Sequence, residues 1–242
     1  AAARGDASLA CCTFEQLLGG EYNPPIQGQQ HNHDDNDGHD HSQDLQGGQG
    51  GGGGQGGGSA SDLDAFFKRA TDYAAKKDKV DLGMEAMIPY VTGKAPVLLR
   101  VRSAASIRAA VAFAKKYNLK AVLAGAADAW KEAELLKKEN IPVIIQPAGR
   151  STLSSNSPAN DWDPYDTTFA LPHLLAKAGV KFAFMSEDNS GSFNLPVRVG
   201  QSCAYGLSPE DAIKALTLWS AEILGVADRL GSIQPGKMGN LV

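Results

Sequence analysis

Four of the five histidines stand close together, His31, His33, His39 and His41, as two His-x-His pairs. Neutral imidazoles are good metal ligands, and two separated by one residue leave the same face of a strand. A catalytic metal needs three rigid protein ligands and one open position, so the strand beneath such a pair must be held in place by apolar burial. The run before His31, Ile26 to Gln30 (IQGQQ), has a single apolar side chain. These histidines are therefore expected to be solvated, with only weak, adventitious affinity for metal. A second candidate is Asp188 in FMSEDNSG, an acid just past an apolar run, with Glu187 beside it. Such an acid serves either as a general base or as a turn cap. A third group, Arg150, Trp162 and Asp163, lies in the polar stretch PAGRSTLSSNSPANDWDPYD of residues 147–166. It is read either as a substrate-contacting loop or as variable surface.

The elements that would carry these groups alternate in type. Ser61 to Lys77 has Leu63, Phe66, Phe67, Ala70, Tyr73 and Ala74 at helical spacing, with Ser61 as cap, and Leu82 to Tyr90 reads as a second helix. Strands are expected at Pro96 to Val101, Leu119 to Ala124, Ile141 to Gln146 and Val180 to Met185. Between them lie helices at Ala104 to Tyr117, Ala127 to Lys138 and Phe169 to Ala178. The runs VLL, AVLA, VII and FAF suit strands buried on both faces, and the alternation implies parallel pairing. Four such units fit half of a (β/α)8 barrel or a small doubly wound sheet. Ser208 is placed to cap a further helix with Pro209 at its first position and Glu210 and Asp211 in its first turn, and Gly225 is placed to stop it. Trp130 and Trp219 fall at core spacing, and His173 reads as a packed or surface side chain rather than a ligand.

Composition bounds the rest. The chain has 242 residues, 43% of them hydrophobic, and a net charge of −4. There is no basic cluster of the kind that binds nucleic acid, and no apolar run near the roughly 18 residues of a membrane span. Adjacent Cys11 and Cys12 and distant Cys203 do not make a disulfide framework, so three reduced thiols are expected. Residues 23–60 are rich in Gln, Asp, His and Gly and cannot bury enough surface to order themselves, so they read as a linker or insertion. The expected layout is a short N-terminal segment over 1–22, this linker, and one folded unit over 61–242. A chain that begins AAARGD without Met and ends in the apolar pair Leu241-Val242 reads as a piece of a longer protein.

The stretch GLSPEDAIKALTLWSAEILGVADRLGSIQPGKMGNLV, residues 206–242, resembles the C-terminal end of the amidohydrolase superfamily, in particular its imidazolonepropionase-like and dihydroorotase-like members. The resemblance runs back through KAPVLLRVRSAASIRAAVAFAKKYNLKAVLAGAADAWKEAELLKKENIPVIIQP to Ser61. It implies the C-terminal half of a TIM barrel, strands five to eight, followed by the start of an accessory β-sandwich strand. It also implies a divalent, zinc-type metal. Set in that register, Arg100 stands at the strand-five metal ligand and Gly125 at the strand-six ligand, where the family has His. Asp188 takes the place of the strand-eight acid that binds metal and accepts a proton from the attacking water. Arg100, Arg150 and Trp162 become the expected substrate-binding set. Ser220 and the pair Gly239-Asn240 depart from the family's Pro and Ala-Asp.

Two functions follow from the resemblance. One is a hydrolase of C–N bonds in amides or cyclic amides that uses metal-activated water. The other is a catalytically silent barrel serving binding or assembly, because Arg100 and Gly125 replace both histidines. The expected partner is a small-molecule substrate, with neither nucleic acid nor membrane. The missing half of the barrel is expected from upstream sequence or another chain, and a homo-oligomer is left open.

Overall fold

In Val97–Val101, every second side chain is buried: Val97, Leu99 and Val101 are sealed, Leu98 is half-buried and Arg100 is exposed. That alternation places one face of the strand against helices and leaves the other open. The computed structural model describes residues 10–13, 60–77, 80–148, 163–164, 166–186 and 192–239. Its core is a five-stranded parallel sheet, β1 (Ala10–Thr13), β2 (Val97–Val101), β3 (Ala121–Gly125), β4 (Val143–Ile145) and β5 (Phe182–Phe184), in the spatial order β1-β2-β3-β4-β5.

The order decides between the two architectures left open by the sequence. A doubly wound sheet reverses direction at a switch point and carries helices on both faces. Here the order never reverses. The helices are α1 (Ala60–Lys76), α2 (Leu82–Val91), α3 (Ala104–Lys116), α4 (Ala133–Lys138), α5 (Thr167–Ala178), α6 (Leu195–Ala204), α7 (Pro209–Leu216) and α8 (Leu218–Leu224). Most of the helical packing lies over one face, with α8 also reaching the other through Ile223. Under the helices lies the main core, with Phe67, Leu99, Ile107, Leu123, Leu136, Ile145, Leu175 and Phe182 fully buried. The opposite face holds a smaller apolar set, Val122, Ala183 and Ile223, flanked by half-buried Leu98 and Ile144. A singly wound parallel sheet of this kind is a segment of a barrel wall.

Several expectations change on folding. Strand β1 was not anticipated. It adds parallel to the free edge of β2 with Ala10 opposite Val97 and Thr13 opposite Arg100. The histidines of 31–41 and the terminal pair Leu241-Val242 lie outside the described residues. Helix α1 starts at Ala60, so Ser61 is its second residue and not its cap. The helix expected over Ala127 to Lys138 is a 3₁₀ turn, Ala129–Glu132, followed by α4, because Asp128 is turned toward α3 and does not cap it. Helix α6 was signalled only by the apolar setting of Cys203, which is a free, half-buried thiol.

The C-terminal helix divides at Thr217, whose φ of −125° and ψ of −87° break the ladder. The Thr217 hydroxyl donates to the Ile213 carbonyl at 2.7 Å and that of Ser220 to the Ala215 carbonyl at 2.7 Å, so both compete with backbone donors. Gly231 fits into the same notch: a Cβ there would lie 2.6 Å from the Ala221 Cβ. Its start and stop are as read from sequence. The Ser208 hydroxyl accepts from the Asp211 amide at 3.0 Å, and Gly225 ends α8 in the left-handed conformation at φ 73°. Trp219 packs edge-on against Phe182 with ring centres 5.4 Å apart, and His173 lies half-buried against Gly206.

Candidate functional site

In parallel sheets of this type, ligands bind at the carboxyl ends of the strands. Those ends are formed here by Arg100 to Ser103 after β2, Gly125 to Asp128 after β3, Gln146 after β4 and Met185 after β5. The turn after β2 is fixed from both sides. The Arg102 amide donates to the Ser106 Oγ at 3.1 Å, and its carbonyl accepts from the Asp128 amide at 3.1 Å. Ser103 caps α3, accepting from the Ser106 amide at 3.3 Å.

Gly125 is held as tightly. It adopts φ +89°, and the following amide, that of Ala126, donates to the Val101 carbonyl at 2.7 Å. A Cβ on residue 125 would lie 2.8 Å from that same carbonyl oxygen. The ladder pairs Arg100 with Ala124 and Val101 with Gly125, so positions 100 and 125 belong to different rows. Arg100 cannot give up its proton to become a ligand, and residue 125 has neither a side chain nor room for one. The residues at these two positions do not fit a metal ion.

What the fold brings together instead is an Asp-Lys-Asp group beside the ends of β2 and β3. Lys131 Nζ lies 2.6 Å from Asp163 Oδ2 and 3.4 Å from Asp128 Oδ1. Asp128 is 5% exposed, and its other oxygen accepts from the Ala104 amide at 3.1 Å, at the start of α3. One ammonium thus joins the helix after β2, the turn after β3 and the chain returning toward α5. The hydrogen bond to Asp163 holds the Lys131 ammonium above the ordinary lysine value of 10.5. Its stabilising contribution is therefore complete below that ordinary value and lost as pH rises through the higher folded value. Replacing Lys131 by Met leaves two nearly buried carboxylates without their cation, and is expected to cost about 2 kcal/mol at neutral pH. Urea unfolding of the variant and the wild type at pH 7 checks this.

Among the residues expected at the site, Arg100 is exposed at the end of β2 on the open face, and Asp163 pairs with Lys131. Asp188, Glu187, Arg150 and Trp162 lie outside the described residues. Asp128 and Lys131 were not anticipated. The available signal was the i, i+3 acid-base pair directly after a strand, in ADAWK. Trp130 packs against the core as expected, with Lys131 Nζ 5.2 Å from its ring centre.

Residues 130–242 match the Amidohydrolase family model. The chain is 33% identical over 111 residues to imidazolonepropionase of Phocaeicola vulgatus, covering 44% of this chain and 24% of that protein. It is 40% identical over 86 residues to imidazolonepropionase of Bacteroides thetaiotaomicron, covering 31% and 21%. A crystal structure of an amidohydrolase from Thermotoga maritima superposes with a TM-score of 0.63 at 27% identity, over 72% of this chain and 47% of that one. The matches thus span a quarter or less of these curated relatives and about half of the solved structure. The parallel sheet is the C-terminal part of a (β/α)8 barrel wall, in which β2 to β5 are strands five to eight.

Proposed function

We propose, from the premise that the barrel segment of this chain belongs to the amidohydrolase superfamily, that the protein is a hydrolase acting on C–N bonds of amides or cyclic amides. The observation that carries this reading is the match of residues 130–242, which include β4 and β5, to the Amidohydrolase family model. Asp188, just past β5, is the residue assigned to accept the proton of the attacking water. Arg100, Arg150 and Trp162 are assigned to the substrate. A divalent, zinc-type metal accompanies this chemistry in the resemblance. Since positions 100 and 125 do not fit one, no step is assigned to a metal on β2 or β3.

One observation favours a second reading. The Gly125 position is closed by backbone, which a site needing only to bind a ligand tolerates better than one built around a metal. Under that reading the barrel is a catalytically silent scaffold for binding or assembly.

Metal analysis of the full-length protein purified without a His tag, together with an amide and cyclic-amide hydrolysis panel, separates the two. The hydrolase reading expects turnover that falls at least a hundredfold in Asp188→Asn, a loss typical of removing a general base. Bound zinc-type metal that is lost in the same variant would further support it. No turnover of any amide and no metal would overturn it and leave the silent scaffold.

A further inference from the structure

We draw no further inference here: the strongest candidate, the open groove between α4 and α5 lined by Trp130, Leu174, Lys137 and Lys177, has lysines that complement the carboxyl ends of their own helices, and nothing in the structure shows what covers it.

Discussion

Gly125→His should lose about 3 kcal/mol of stability and gain no metal, although it restores an imidazole at the strand-six position. The loss has two parts, a left-handed φ of +89° that costs a residue with a Cβ about 1–2 kcal/mol and a Cβ 2.8 Å from the Val101 carbonyl oxygen, an overpacking cost of about 1–3 kcal/mol. The carbonyl cannot withdraw freely, because it accepts the Ala126 amide at 2.7 Å. Both parts arise at the Cβ and not at the ring. Gly125→Ala should therefore cost nearly as much as Gly125→His, and denaturant midpoints of the two variants compare them directly. Zinc titration of Arg100→His/Gly125→His then asks whether two imidazoles are enough. If Gly125→Ala unfolds within about 0.5 kcal/mol of wild type, the size of an ordinary surface change, the closed position is not a property of this fold.

Phe182→Ala is expected to be more damaging, about 4 kcal/mol, in the range for truncating a fully buried aromatic. Phe182 is the first residue of β5, paired with Val143 on β4, with Phe184 edge-on at 5.5 Å and Trp219 at 5.4 Å. It connects the sheet to α8, and so holds the C-terminal helix pair in place. Against a typical stability of about 5–15 kcal/mol, this single cavity removes a large share. Amide exchange should show the loss concentrated in residues 207–224, which pack on β5, before α3 loosens. Leu98→Ala is the contrasting case: half-buried on the open face, it should cost only about 1 kcal/mol. Equal losses for the two variants would mean that the helix-covered face is not the principal core.

The difference between those two positions also marks what the sequence could reveal. Runs such as VLLRV and AVLAG announce strands, because their apolar content has no helical period. They do not announce which face will be covered, since both faces of a barrel strand carry apolar groups. The caps were legible for a related reason. Ser208, Pro209 and Gly225 act within one turn of backbone, so their chemistry is complete in the local sequence. Thr217 shows the limit: the break there depends on Gly231, fourteen positions later, fitting against Thr217 and Ala221.

The candidate site divides in the same way. Arg100 and the absence of a side chain at Gly125 are facts of sequence, and they sufficed to question a metal on β2 and β3. That residue 125 also excludes a side chain follows from the approach of the Val101 carbonyl, which belongs to the neighbouring strand. Lys131, between Asp128 and Asp163, was not legible because thirty-two positions separate Lys131 from Asp163 and nothing local to either names the other. Strand β1 was missed because ACCT has too little apolar content to stand alone, and becomes a strand only by adding to the edge of β2. By itself, then, the sequence determined the order and type of most elements, their caps, the resemblance to a family and the residues standing at its metal positions, because these are carried by short-range periodicity and backbone chemistry. Only the tertiary structure decided the singly wound order of the sheet, the closed backbone at Gly125 and the Asp-Lys-Asp group. Each of these depends on distant segments meeting, and pairing of that kind is set by burial and register across the whole sheet.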